Sequence, residues 1–224
     1  MGKPLLGYWD LRGLAEPIRY LLHYVKVDFE DKRYQFTQDG WQKDKFALGL
    51  DFPNLPYYME GDVKLTQSTA ILRHLARKHG LDGKDAEQKL KVSLAEQQII
   101  DLRWSLIRLA INPDFENAKA EFIKNIPAQL KLWEKFIGDH KFLTGDNLTY
   151  VDFIAYDVFD FYRLFHEGIL SEFPILEDYQ ARIRSLPQLQ EYLKSSTYKR
   201  WPIFGPIAKF GGAGDAPKHL GEYD

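Results

Sequence analysis

The sequence predicts an α/β N-terminal unit with a mixed four-stranded sheet and flanking helices, followed by an all-α C-terminal unit. Three observations predict it. β-favouring runs occur only ahead of the breaker-rich stretch Gly80-Leu-Asp-Gly-Lys84. Those runs alternate with helical patterns in the order strand, helix, strand, short helix, strand, strand, helix. From Asp85 onward, long apolar-periodic helical patterns follow one another without a strand signal. The division therefore falls between residues 1–82 and 85–224.

Lys3 to Trp9 reads as a short strand, and Leu11-Arg-Gly13 as a turn. Leu14 to Tyr24 follows as a helix with Leu14, Ile18, Leu21 and Leu22 on one face, and Pro17 in its first turn, where a missing N–H does little harm. Val27 to Tyr34 reads as a second strand, with Phe29 alternating against charged neighbours. Strand, helix, strand implies a parallel pair with a right-handed crossover. A loop at Thr37–Gly40 and a short helix from Trp41 to Leu48 come next. Pro56 then introduces a strand from Tyr57 to Met59, because a residue without an N–H suits the start of a strand. Glu60-Gly-Asp62 turns the chain, Val63 to Leu65 returns, and a helix from Ser68 to about Lys78 carries Ala70, Ile71, Leu75 and Ala76. This order is a thioredoxin-like arrangement.

In the second unit, Lys89 to Ile111 is a long helix with apolar residues at Leu90, Leu94, Ile99, Leu102, Leu106 and Leu109, interrupted by Asn112-Pro113. Phe115 to Phe136 is another, through Phe122, Ile126, Leu130 and Trp133, with Pro127 predicting a kink. Thr149-Tyr-Val-Asp152 has the form of a capping box with aspartate at the third helical position. The helix it opens, through Phe153, Tyr156, Phe159 and Tyr162, is apolar almost all round and so predicts a buried element. Pro174–Ser185 and Pro187–Ser195 read as shorter helices. The Gly-, Pro- and aromatic-rich tail from Trp201 reads as irregular packed chain with a mobile polar end.

With 30 basic and 32 acidic residues, the net charge of -2 gives no reason to expect a nucleic-acid or acidic-membrane partner. The absence of cysteine excludes disulfides, thiolate metal sites and a cysteine nucleophile, and it fits a reducing compartment. No apolar run is long enough to span a membrane and no signal-peptide pattern opens the chain, so the expectation is a cytoplasmic protein.

Two stretches at the end of the first unit point to a ligand. In Asn54-Leu55-Pro56 the X-Pro bond is open to cis as well as trans, since the trans preference is only about 0.5–1 kcal/mol. Cis would turn the Leu55 backbone outward as a free peptide edge; trans would leave an ordinary surface turn. Gln67-Ser68 opens a helix, and its N-terminus either is simply capped or offers unpaired N–H groups to a carboxylate. Together, a peptide edge and a carboxylate socket suggest a small acidic peptide. Tyr8, at the C-terminal end of the first strand, either packs its ring or donates its O–H to an anion. Donation to a thiolate would lower a thiol pKa, and here the thiol must come from the ligand. His79, His140 and His166 lack ligand spacing with a matching acid, so no metal site is expected.

A resemblance carries this further. Gly7-Tyr-Trp-x-x-Arg-Gly-Leu14, Lys45-Phe-x-Leu-Gly-Leu-Asp-Phe-Pro-Asn-Leu-Pro-Tyr57, Leu65-Thr-Gln-Ser68, Ala76-Arg-Lys-His79, Asn112-Pro-x-Phe-Glu116 and Val151-Asp-Phe153 run in order along essentially the whole chain. They resemble the mu-class cytosolic glutathione transferases. The resemblance implies a cytoplasmic homodimer that conjugates glutathione, as co-substrate, to small hydrophobic electrophiles, with no permanently bound cofactor. It implies that Tyr8 holds and activates the glutathione sulfur as thiolate. Trp9, Leu14, Trp41 and Lys45 would line the glutathione site. The Leu55 backbone, beside a cis Pro56 and near Asn54, would pair with the cysteinyl part. Gln67 and Ser68 would take the γ-glutamyl carboxylate, and Asp101 would reach the glutamyl amino group in the neighbouring subunit. Phe52 would insert between helices of the partner, and Arg73 would sit near the two-fold axis.

Three departures from the family pattern stand out. The loop before Trp41 is short and lacks the arginine common in vertebrate mu enzymes, which looks more like helminth or other invertebrate members. Ile111 stands where many members place a tyrosine over the electrophile, and Gly205 where some carry a hydroxyl. The resemblance therefore implies a mostly apolar electrophile site lined by Leu11, Trp104, Ile107, Ile111 and Phe204. Two other readings stay open: a non-catalytic carrier of hydrophobic ligands or haem, and a glutathione-dependent isomerase of prostaglandin-type lipid endoperoxides.

Overall fold

The computed structural model describes residues 2–37 and 40–219. Its sheet is built on β1 (Leu5–Trp9), which pairs in parallel with β2 (Glu30–Tyr34) through the crossover helix α1 (Glu16–Tyr24). β3 (Tyr57–Glu60) runs antiparallel to the other edge of β1, and β4 (Val63–Thr66) antiparallel to β3. The order β2-β1-β3-β4 is the mixed, thioredoxin-like sheet the sequence predicts. α2 (Trp41–Asp44) lies between β2 and β3, and α3 (Ser68–His79) follows β4.

Several boundaries move. The second strand begins at Glu30 rather than Val27, because its ladder starts where β1 begins: the Glu30 N–H donates to the Pro4 carbonyl at 2.8 Å. α1 starts at Glu16, leaving Leu14 in the preceding turn. α2 ends four residues short of Leu48 as the chain turns toward Gly49, whose φ is +66°. On α3 the buried stripe is Ile71, Leu72, Leu75 and Ala76, spaced i, i+1, i+4, i+5, so Ala70 faces outward and Leu72 takes its place. Gln38 and Asp39 of the Thr37–Gly40 loop, and the polar end beyond His219, lie outside the described residues.

The helical part holds α4 (Ala86–Ala110), α5 (Phe115–Ile137), α6 (Tyr150–Phe165), α7 (Pro174–Arg184) and α8 (Pro187–Leu193). α4 begins three residues earlier than its apolar pattern, because the Asp85 side chain caps it by accepting the Gln88 N–H at 2.8 Å. Its first two apolar positions, Leu90 and Leu94, are 72% and 60% exposed and not part of the core. α5 continues through Pro127. The capping box forms as read: Asp152 accepts the Thr149 N–H, and the Thr149 side chain accepts from the backbone of the third helical position. Every residue of α6 is buried. It packs against α1, α4 and α7, and one apolar core runs from Leu6 and Ile18 in the first unit to Phe159 and Tyr179 in the second.

Candidate active site

Gly7 pairs with Tyr57, and Tyr57 with Thr66, so the ends of β1 and β4 lie beside the start of β3. The chain at this one edge carries Tyr8-Trp9, Leu55-Pro56 and Gln67-Ser68. Gly7 is required there, since a Cβ would lie 2.1 Å from the Tyr57 ring that crosses it. The Leu55-Pro56 bond is cis. The Leu55 N–H, expected to be free, donates to Asn54 Oδ1 at 2.9 Å. Gln67 sits at φ +71° and no side chain caps α3, which has no acidic residue in its first turn. The first amides of α3, with the positive end of its dipole, form the kind of site that holds a carboxylate. Trp41 is buried against Tyr57, with ring centroids 5.9 Å apart, and Lys45 stands one turn further on with its amide donating to the Trp41 carbonyl at 2.9 Å.

Tyr8 is 7% exposed. Its hydroxyl oxygen accepts the Leu14 N–H at 3.1 Å, so the phenolic hydrogen is left to donate elsewhere. Gly13 makes room for this: φ is +47°, and a Cβ would stand 2.6 Å from the Tyr8 hydroxyl. The turn is fixed from the tail, where Arg12 and Gly13 donate their N–H groups to the carbonyls of Pro202 and Ile203 at 3.2 and 3.1 Å. Burial raises the Tyr8 pKa above its ordinary value, opposed by the Leu14 amide and the charges of Arg103 and Arg19. Tyr8 is therefore a neutral O–H donor at physiological pH.

 Above Tyr8 lies a mainly apolar cavity of about 310 Å³. A separate cleft of about 470 Å³, lined by Tyr156, Arg163, Arg184, Lys194 and Tyr198, shares no residue with it. Tyr8, Trp9 and Leu14 line the Tyr8 cavity together with all five residues expected at an electrophile site: Leu11, Trp104, Ile107, Ile111 and Phe204. Trp41, Lys45, Asn54, Leu55, Pro56, Gln67 and Ser68 lie outside it, at α2, in the turn before β3 and at the start of α3.

Sequence reasoning missed Phe36, Arg103, Phe161 and Ile207 on the cavity wall. Phe36 stacks on Trp9 with centroids 4.5 Å apart. Gly205 faces it, and a Cβ there would meet only the Phe36 ring, at 3.9 Å. Arg103 had a signal: it falls on the buried face of α4, four residues after Ile99 and three before Leu106, where a charge needs a partner.

The remaining candidates stand apart. Asp101 is exposed, in a cleft of about 490 Å³ between α4 and α5 with Gln98, Ser105, Arg108 and Gln129. Phe52 is 77% exposed. Arg73 pairs with the buried Glu96 carboxylate, which also accepts the Tyr150 O–H at 2.6 Å, so it ties α3 to α4.

The fold and site define a two-domain protein in which a cis-proline turn and the start of α3 lie at one end of the sheet, with an apolar cavity above Tyr8. Residues 4–77 match the family described as glutathione S-transferase, N-terminal domain, and residues 100–196 its C-terminal domain. Glutathione S-transferase Mu 1 of Mus musculus is 48% identical over 210 residues, covering 91% of this chain and 96% of that protein. Its Rattus norvegicus counterpart is 46% identical, covering 92% and 97%. Among solved structures, the glutathione S-transferase Blo t 8 superposes with a TM-score of 0.87 at 39% identity, covering 92% of this chain and 99% of that one. The chain belongs to the glutathione S-transferase family, and its similarity is to the mu class.

Proposed function

We infer that this protein is a glutathione transferase that adds the glutathione sulfur to hydrophobic electrophiles. One observation carries the reading: a buried, neutral Tyr8 whose oxygen is engaged by the Leu14 amide, leaving its hydrogen to donate at the wall of an apolar cavity. Glutathione would lie along the edge of the sheet, its γ-glutamyl carboxylate on the Gln67-Ser68 end of α3 and its cysteinyl part beside Leu55. Trp9, Leu14, Trp41, Lys45 and Asn54 would complete that side. The thiol proton leaves to solvent, and the Tyr8 O–H donates to the remaining thiolate. Such a charge-assisted hydrogen bond is worth about 1.5–3 kcal/mol, enough to lower a thiol pKa by roughly one to two units. Holding sulfur and electrophile together in one site supplies the rest.

In this reading residues 1–82 bind glutathione and 85–224 supply most of the electrophile wall, and the protein is a cytoplasmic homodimer. Support for a dimer comes from the exposed Phe52 and from a cleft of about 380 Å³ lined by Leu132, Phe136 and Leu143, with Leu90 and Leu94 exposed on α4. Phe52 of one subunit would fill that cleft on the other, Arg73 would lie near the axis, and Asp101 would reach the partner's glutathione. The test is conjugation of glutathione to 1-chloro-2,4-dinitrobenzene, followed by thioether absorbance. Saturable turnover that falls in Tyr8→Phe is expected; glutathione binding without turnover would replace the enzyme with a carrier.

A further inference from the structure

Arg103 is 4% exposed, stands on α4, and lines the same cavity as Tyr8. Among the described residues its guanidinium makes one ion pair, from Nη2 to Asp157 Oδ2 at 3.1 Å. Its Nε is buried without a hydrogen-bond partner among the described residues. The Asp157 carboxylate is shared, since Arg12 donates to its other oxygen at 2.9 Å. Arg12 in turn reaches Asp160 at 2.6 Å. The buried row Asp160–Arg12–Asp157–Arg103 therefore alternates in sign and ends at the cavity on a cation that holds only a share of one carboxylate. A buried donor left unmade is costly and calls for a reason.

Addition of a thiolate to an activated ring gives that reason. The C–S bond forms at the carbon bearing chlorine, and a ring electron pair moves onto the nitro oxygens. Chloride then leaves with the C–Cl pair and the ring is restored. During the first step, negative charge moves from sulfur onto the ring and its nitro oxygens, inside the cavity whose wall Arg103 shares with Tyr8. We propose that Arg103 stabilises the negative charge that develops on the electrophile. This rests on the transferase reading. It makes Arg103 a charge-stabilising residue acting through the low dielectric of the cavity.

The test uses a series of 1-chloro-2-nitrobenzenes with 4-substituents of graded electron-withdrawing power, at saturating glutathione. In Arg103→Gln, kcat/KM falls about tenfold for the least activated member, less than the 100-fold or more typical of losing a direct oxyanion donor. It falls much less for the 4-nitro compound, so the dependence on substituent steepens. Arg103→Lys restores the wild-type dependence. Asp157→Asn removes the shared counter-charge and makes the dependence shallower, an opposite sign that loss of folding cannot imitate. A uniform fall across the series, with the dependence unchanged in both Arg103→Gln and Asp157→Asn, overturns the proposal and leaves the transferase reading standing. A wild-type protein that conjugates no member overturns both.

Discussion

The Leu14 amide donates to the Tyr8 hydroxyl oxygen at 3.1 Å, and Gly13 leaves the space that lets the two meet. This contact fixes the direction of the phenol. With one lone pair taken by an N–H, the O–H is left free to donate into the cavity that Tyr8 lines.

Because burial raises the Tyr8 pKa, the phenol stays protonated through the working range. The pH profile of kcat/KM should therefore rise through a single ionisation, that of the bound thiol, and then stay level to beyond about pH 9. A second, falling limb at neutral pH would show that Tyr8 or another donor is titrating there instead.

Ser68→Asp places a negative charge at the start of α3, where the dipole and free amides favour an incoming carboxylate. The KM for glutathione should rise about tenfold or more, with kcat changed far less. Steady-state kinetics with glutathione varied would read this; an unchanged KM would move the γ-glutamyl carboxylate elsewhere.

In the proposed homodimer, Phe52→Ser should weaken subunit association by about 2 kcal/mol or more, as expected for an aromatic anchor. Sedimentation velocity over a concentration series should show dimer for the wild type and monomer for the variant at the same concentrations. Identical distributions would assign Phe52 another role.

Asp152→Ala should destabilise the fold by about 3 kcal/mol. The carboxylate accepts the N–H groups of Leu143 and Thr149, each at 2.8 Å, and the Tyr179 O–H at 3.0 Å, all buried. Thermal unfolding should shift down by roughly 6–12 °C, whereas a shift under about 2 °C would mean that these donors find other acceptors.

Much of this was legible from residue pattern because the signals were local. Strand order, the Thr149 capping box and the Ser68 helix start depend on neighbours within a few positions. What escaped depended on distant partners. An apolar stripe reads the same whether it faces a core or solvent, so the pattern does not separate the exposed Leu90 and Leu94 from the buried Ile99 and Leu102. Ala70 was assigned to the buried face because its neighbours are apolar, yet helix geometry turns it outward. Phe36 and Ile207 reach the cavity only through the path of loops, which no periodicity encodes. Arg103 lies on a buried helix face, but its partner Asp157 belongs to α6, far along the chain.

The most direct test of the central claim is a titration of bound glutathione, following thiolate absorbance against pH in wild type and in Tyr8→Phe. The account predicts a thiol pKa depressed in the wild type and raised by about one to two units in the variant, with glutathione still bound. The same thiol pKa in both proteins would contradict it.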